Sequence, residues 1–347
     1  MALRYLLIEK YNSPFAPVQN YSPFLRLLLQ SIATHLLSLN YICSTMRHNY
    51  HPTAKGYFSG CGGMEIGLMQ AGVKLVQSLD LDTEATSCMR ENPKYFSHAV
   101  LNTDIKDVTV LDQPGTDIIV GTYPCTKYSA IADIHGTRTG DDLFLHFFRH
   151  IALAQPEMYV VENVPGMKKF KVVMEAMTKL PDYYVHIFCP VDAANWLPQR
   201  RKRLILIGTR KPFPISEPSA AKVRPYLKDI LEKDPVVEMP DYVLRRINGK
   251  YRDTPIIVDP DNRLALAPTC VAHYSKDLST RLVKDKKSRY GLRPFSVREY
   301  ARLQGFPDDF HFANKRASYR LIGNAVPVQM GEWIGEQAMR YFNHRPS

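Results

Sequence analysis

Tyr57-Phe58-Ser59-Gly60-Cys61-Gly62-Gly63-Met64 runs from an apolar pair into a helical pattern, and the reading of this turn decides the fold. Glycines let a backbone pass close to a ligand. The helix expected next, residues 65–71, turns its N-terminal amides toward an anionic group such as a carboxylate. The dinucleotide fingerprint GxGxxG fails, because Glu65 stands at the third glycine position counted from Gly60. Asp80 lies 20 residues after Gly60, at the end of the second apolar run, where an acid binds a ribose diol. Asp104, in Thr103-Asp104-Ile105, closes the next unit and is placed to accept a hydrogen bond from an adenine amino group. Each acid has an alternative reading as a helix cap.

Outward from that turn, apolar runs at 57–58, 75–79, 117–120, 158–161, 185–188 and 204–207 are interleaved with helical patterns at 65–71, 83–91, 143–154 and 172–180. This alternation predicts an α/β protein, a mostly parallel sheet with helices on both faces. The last two runs have no helix between them and predict an antiparallel hairpin at the sheet edge. Residues 210–290 are dense in Pro, Tyr, Lys and Arg, and helical periodicity fades there. They predict a small irregular domain. Regular structure returns at 296–304 and 328–342. The expected division is an N-terminal extension (1–50), a catalytic and cofactor-binding domain (51–209), the small domain (210–290) and a C-terminal segment that rejoins the catalytic domain (291–347).

Asp117-Ile118-Ile119-Val120-Gly121-Thr122-Tyr123-Pro124-Cys125 reads as a buried strand entering a Pro-Cys turn. In an open α/β sheet chemistry gathers beyond the C-terminal strand ends. That placement favours Cys125 as a nucleophile over a packing thiol. Met158-Tyr159-Val160-Val161-Glu162-Asn163-Val164 delivers Glu162 and Asn163 at the end of the next strand. A thiol and a carboxylic acid on one cleft suit conjugate addition to a base. In Gln199-Arg200-Arg201-Lys202-Arg203, residues 199, 201 and 203 share one face if the segment is a strand. That face would aim two guanidinium groups at the cleft. The alternative is a basic edge strand that only contacts phosphate.

The chain of 347 residues carries 45 Lys+Arg against 34 Asp+Glu, a formal charge of +11. Residues 200–293 hold 22 Lys/Arg and 11 Asp/Glu, so the whole excess sits in one segment. A neutral body with one basic segment fits a catalytic core plus a nucleic-acid-binding module, the plain alternative being a solvated basic surface. The six cysteines, at 43, 61, 88, 125, 189 and 270, form no CxxC pair, so neither a zinc site nor a disulfide framework is expected. The pattern points to a reducing compartment. The apolar stretch 25–39 is interrupted by Arg26, Gln30, Ser31 and His35, too short and too polar to span a bilayer. Residues 1–50 are expected to be a helical extension, poorly ordered or outside the native coding sequence, with Met46 a more typical start.

Together these motifs resemble the cytosine-5 DNA methyltransferase family over about 270 residues, 55–342, in the family's order. Phe58-Ser59-Gly60-Cys61-Gly62-Gly63 resembles its cofactor loop, Pro124-Cys125 its nucleophile motif, Glu162-Asn163-Val164 its acid motif and Gln199-x-Arg201-x-Arg203 its arginine motif. Arg298-Glu299-x-x-Arg302-Leu303-Gln304-Gly305-Phe306-Pro307 is similar to the segment after its recognition domain. Gly323-Asn324-Ala325-Val326-Pro327 is similar to its C-terminal cofactor motif. Three departures stand out: Thr126 where the family has glutamine, Lys127-Tyr128-Ser129 keeping only an aromatic-Ser pair, and Leu81 in place of an aromatic.

The resemblance implies a Rossmann-like S-adenosylmethionine methyltransferase sheet, with residues 210–290 as target-recognition domain. It implies base flipping, attack of Cys125 on C6 of cytosine, Glu162 holding or protonating N3, and Arg201 bracing the base, with Asn163 and Arg203 in the same catalytic set. S-adenosyl-L-methionine would be held by Phe58, Ser59, Gly60, Gly62, Gly63, Asp80, Leu81, Asp104, Ile105, Pro124, Asn324 and Ala325. Ser129, Gln199 and Thr269 would contact substrate, and residues 126–142, with Gly136 and Gly140, would form a closing flap. No metal is expected. The implied partner is double-stranded DNA, with a cognate restriction endonuclease as a second. A monomer with no membrane association is expected, cytoplasmic and nucleoid-associated in a prokaryotic or phage-infected cell. Three alternatives stay open: a tRNA cytosine-5 methyltransferase, although that branch's Cys-Phe-Thr signature is absent; a non-catalytic DNA-binding relative; and a nucleotide-dependent oxidoreductase.

Overall fold

The structure is a computed structural model that describes residues 50–124, 143–237, 239–250, 252–313 and 315–344. The expected extension up to residue 49 and the expected flap, 126–142, lie outside the described residues. The compact unit that carries the site spans His51–Tyr341.

Strand and helix alternate as the apolar periodicity requires: β1 (Thr53–Tyr57), α1 (Gly63–Gln70), β2 (Lys74–Asp80), α2 (Thr83–Arg90), β3 (Ala99–Asn102), β4 (Ile118–Gly121), α3 (Leu143–Ala154), β5 (Met158–Asn163), α4 (Lys171–Thr178), β6 (Tyr184–Asp192) and β7 (Lys202–Thr209). They form one seven-stranded sheet in the order β3-β2-β1-β4-β5-β7-β6. The first five strands are parallel, and β7 runs antiparallel to both β5 and β6. The expected hairpin therefore exists, with β6 at the edge and β7 inserted beside β5. Strand β3 is not among the expected runs: its four residues, Ala-Val-Leu-Asn, are partly exposed, and the apolar stretch is only three residues long. The strand expected at 57–58 instead ends at Tyr57, because Phe58 takes φ 62 and turns the chain into the glycine loop.

Each strand's side chains alternate between the two faces. Tyr57, Ile119, Tyr159, Val161, Leu204 and Leu206 face Phe147 and Ile151 of α3 and Val173 and Met177 of α4. The opposite face carries Val160, Glu162, Arg203 and Ile205. There Phe188 of β6 meets Trp333 at 5.3 Å between ring centroids. Trp333 belongs to α8 (Val328–His344). This helix crosses α1 at a glycine: a Cβ on Gly67 would stand 2.1 Å from the Val328 carbonyl oxygen. Only a residue with no side chain permits that approach.

The segment from 210 to 290 is less irregular than its composition predicts. It holds α5 (Asp241–Asn248), β8 (Ile256–Val258) and β9 (Arg281–Lys284), and β10 (Leu292–Pro294) completes a three-stranded sheet, with β8 and β9 parallel and β9 and β10 antiparallel. Its core is continuous with that of α1 and α2. Val283, Phe295 and Tyr274 belong to one buried cluster with Cys61, Ile66 and Met89, bridged by α6 (Val297–Leu303) and α7 (Lys315–Asn324). Ser296 caps α6 in a capping box with Glu299.

Candidate active site

The strand order reverses between β1 and β4, and the C-terminal strand ends open there into a cleft of about 750 Å³. Every parallel strand contributes to its wall. Phe58 and Gly60 follow β1, Asp80, Leu81 and Asp82 end or follow β2, and Thr103, Asp104, Ile105 and Lys106 follow β3. Thr122, Tyr123 and Pro124 follow β4, and Glu162, Asn163 and Val164 end or follow β5. Arg203 of β7 and Leu321 and Asn324 of α7 complete the wall.

The turn after β1 is held by its neighbours. Gly62, at φ 84, is the N-cap of α1, and its amide donates to the Ser59 carbonyl at 2.9 Å. The Ser59 amide donates to the Leu79 carbonyl at 3.0 Å. Asp80 accepts from the Gly60 amide through Oδ2 at 2.7 Å and from the Asp82 amide through Oδ1 at 2.8 Å. Burial raises its pKa, and these two amides oppose the rise. Each oxygen retains a lone pair, so a diol in the cleft still finds an acceptor. Asp104 caps the 3-10 turn after β3 through Oδ1, accepting from the Lys106 amide at 3.0 Å. Both readings of these two acids therefore meet in one place: each organises a turn and each lines the cleft. Leu81 is 64% exposed at the rim, an apolar surface fit to lie against a flat ring.

On the other side of the cleft, Glu162 is buried and forms an ion pair through Oε1 with Nε of Arg203 at 2.8 Å. Ile205 lies directly across from Glu162 in the β5–β7 ladder, so Arg203, two residues along, is its diagonal neighbour on the same face. Asn163 donates through Nδ2 to the Tyr123 carbonyl at 3.1 Å, while its Oδ1 accepts from the Val164 amide. This side chain fixes the end of β5 to the turn that leads into Pro124. Cys125, Thr126 and Ser129 lie outside the described residues. Burial pushes the Cys88 and Cys270 thiols up to about 12 and the buried Cys61 thiol well above its usual range. None of these three is set up as a thiolate.

Gln199 and Arg201 do not share the face of Arg203. Strand β7 begins only at Lys202, and Gln199 instead bridges to Ala267. The Arg201 guanidinium donates to the carbonyls of Cys270 at 2.7 Å, Gly323 at 3.0 Å and Ala325 at 2.8 Å. Two of these are the carbonyls left at the end of α7, which need donors and attract positive charge. Burial lowers the Arg201 pKa, and Arg203 adds to that. Gln199 likewise joins Leu303, Gln304 and Cys270. Thr269 donates to the Arg200 carbonyl. Gln199 and Arg201 tie the stretch before β7 to α6, to the end of α7 and to Cys270, Thr269 ties back to Arg200, and none of the three is among the described residues that line the cleft. Ser59, Gly62, Gly63 and Ala325 stand behind its wall.

Asp82, Lys106, Thr122 and Leu321 line the cleft without having been singled out. Leu321 precedes Asn324 by one helical turn, a spacing legible once α7 is recognised. Arg320, next to Leu321, reaches Asp82 and Glu84 across the rim.

A model of the C-5 cytosine-specific DNA methylase family matches residues 56–340. The Type II methyltransferase M.BsuFI of Bacillus subtilis is 31% identical over 294 residues, covering 79% of this chain and 69% of that protein. The Type II methyltransferase M.Sau96I of Staphylococcus aureus is 28% identical over 353 residues, covering 86% of this chain and 78% of that protein. Among solved structures, the Entamoeba histolytica methyltransferase EhMeth superposes with a TM-score of 0.70 at 17% identity, covering 85% of this chain and 98% of that one. The Spodoptera frugiperda DNMT2 gives 0.68 at 19%, covering 82% and 98%. No helix among the described residues is long and apolar enough to cross a membrane. The family and its fold are those of S-adenosylmethionine-dependent methylation. With the family match running from the end of β1 into α8, around a cleft built at the strand reversal, the chain belongs to the C-5 cytosine-specific DNA methylases.

Proposed function

We propose that this DNA (cytosine-5-)-methyltransferase methylates one cytosine within a specific double-stranded sequence, by covalent catalysis from Cys125. The observation that carries the reading is the buried Glu162–Arg203 pair on the cleft wall, beside the turn that ends in Pro124. Residues on the β1–β3 side fit S-adenosyl-L-methionine: Asp80 for a ribose diol, Asp104 for an adenine amino group, Leu81 and Phe58 for the ring, Gly60 and Asn324 for the remainder. Bound there, it supplies a methyl group made electrophilic by a sulfonium.

The protein's own part is to make C5 of the base a nucleophile. The Cys125 thiolate adds to C6 of a flipped cytosine, and Glu162 holds the N3 edge so that electron density runs to C5. Arg203 fixes the Glu162 carboxyl in that orientation, and Asn163 keeps the Tyr123-Pro124 segment that leads to the nucleophile against β5. C5 takes the methyl group, then loses its proton as the Cys125–C6 bond breaks. Arg201, which we expected to brace the base, acts in this reading through the framework around Cys270 and Ala325. Residues 210–290 are read as the target-recognition domain, which reads bases in the major groove, and a cognate restriction endonuclease as the chain's functional partner.

Cys125→Ser is expected to abolish methyl transfer and the covalent adduct with DNA containing 5-fluorocytosine, while cofactor binding survives. An adduct that persists in this variant overturns the mechanism. The same trapping with tRNA in place of DNA decides the substrate.

A further inference from the structure

Glu65 lies outside the mechanism above, yet it is one of the most deeply buried charged residues, 2% exposed in the first turn of α1. Its place is made by Gly56 of β1. A Cβ on Gly56 would stand 2.1 Å from Glu65 Oε1 and 2.7 Å from Ser59 Oγ, so the carboxyl and the serine hydroxyl fill the space that a side chain would take. Among the described residues neither Glu65 Oε2 nor Ser59 Oγ has a hydrogen-bond partner of full geometry. A buried carboxyl with an unmet oxygen is costly and calls for an explanation. Ser59 sits between Phe58 and Gly60, both of which line the cleft, so Glu65 stands one residue behind the cofactor wall.

The carboxyl is balanced between its two forms. Burial pushes its pKa up to about 7, the Ser59 hydroxyl and its own amide oppose the rise, and Asp80 adds to it. Cys61, in the same turn, is neutral and itself feels Glu65. Lys55, the nearest basic residue on β1, acts on His150 of α3, the opposite side of the sheet. From α8, the backbone of Glu332 comes against Gly67, and that residue too is acidic, so α8 brings no cation to this point. Such a carboxyl ionises readily when a cation arrives nearby in a low-dielectric setting.

We propose that Glu65 is a positioning residue of the cofactor site: its carboxyl supports the Ser59-Gly60 turn from behind, in the space Gly56 leaves, and ionises as counter-charge when the cationic cofactor binds. This rests on reading the cleft as the S-adenosylmethionine site. The donor carries a sulfonium and the spent product, S-adenosylhomocysteine, does not. Binding of the donor therefore releases a proton from Glu65, and its affinity climbs with pH through neutrality, while that of the product climbs less. The enzyme prefers donor to product by charge as well as by shape.

The test is calorimetry of the full chain with each of the two ligands, in buffers of different ionisation enthalpy, between about pH 6 and pH 8. Wild type is expected to release more proton with the donor than with the product. Glu65→Gln, close to isosteric, is expected to fold, to release no such proton and to lose about tenfold of its donor preference at the upper pH. Gly56→Asp combined with Glu65→Ala returns a carboxyl to the same space and is expected to restore the proton release. Wild-type proton release and donor preference in Glu65→Gln overturn the inference. Asp104→Ala serves as the check on the cleft: if wild type binds neither ligand, or this variant binds both as well as wild type, the cofactor reading itself falls and this inference with it.

Discussion

Two buried arginine–glutamate pairs in this molecule have opposite characters. In the first, Glu299 of α6 accepts four bonds: Oε2 from Arg293 Nη1 at 2.7 Å and from the Ser296 amide at 2.9 Å, and Oε1 from Arg293 Nη2 at 2.7 Å and from the Glu232 amide at 3.0 Å. Asp285 also binds Arg293, at 2.6 Å from Nε. Nothing is left over for a ligand. In the second, Glu162 meets Arg203 at one oxygen, and the pair opens on the cleft. The saturated pair fastens the small sheet to α6. The unsaturated one leaves acceptor capacity facing the cleft, where the proposed mechanism uses it. Burial and ion pairing alone do not separate structure from chemistry; the count of unmet lone pairs does.

The contrast can be broken at either pair. Glu162→Gln keeps shape and burial, so its thermal midpoint is expected to stay close to wild type. Its kcat is expected to fall by about 10²–10⁴-fold, the usual value of a positioned acid or base. A loss of stability with activity per folded molecule intact would reverse the assignment. Glu299→Ala is expected to do the converse. Removing Glu299 leaves Arg293 with Asp285 as its one acidic partner among the described residues and empties the carboxylate that holds Nη1 and Nη2, at a cost of about 3 kcal/mol, read in urea melts, while methylation by the folded fraction holds.

Glu65 sharpens the comparison as a buried acid with no arginine partner among the described residues. Its folded pKa lies above its unfolded one, so the neutral form favours the fold. That contribution is complete below about pH 4.5 and is lost as pH rises to about 7. Linkage puts the loss at about 3 kcal/mol. Stability measured at both ends of this window should fall in wild type and lose that slope in Glu65→Gln. The smallest effect is expected at the exposed rim. Arg320→Gln removes the link to Asp82 and Glu84, with a stability cost of about 0.2–1 kcal/mol and a KM for the cofactor that rises severalfold as salt-sensitive rim order is lost.

Much of the cleft was legible because it is local. The glycine turn, Asp80 and Asp104 follow from spacing along consecutive strand–helix units, and Glu162 and Asn163 from an apolar run that ends in polar residues. What escaped depends on distant partners. Alternation along 199–203 aimed Arg201 and Arg203 together, but β7 starts at Lys202, and Arg201 answers carbonyls at Gly323 and Ala325, more than a hundred residues away. The small sheet was hidden for a similar reason. Strands β8 and β10 have three residues each, too short to show a period, and β8 pairs in parallel with a strand more than twenty residues on. Helix α7 mixes polar residues with its buried apolar ones, so its period is blurred in the sequence and only Asn324 at its end stands out as a motif residue.

The crossing of Gly67 against the Val328 carbonyl bears on how the protein is made. Helix α1 follows the Ser59-Gly60 turn of the cleft wall, but its partner α8 begins more than 250 residues further along the chain. A nascent chain can fold its strands as they emerge and still lack the wall that α8 gives to α1. A chain cut short before residue 328 therefore lacks the backbone against which Gly67 packs, whatever it keeps of the sheet.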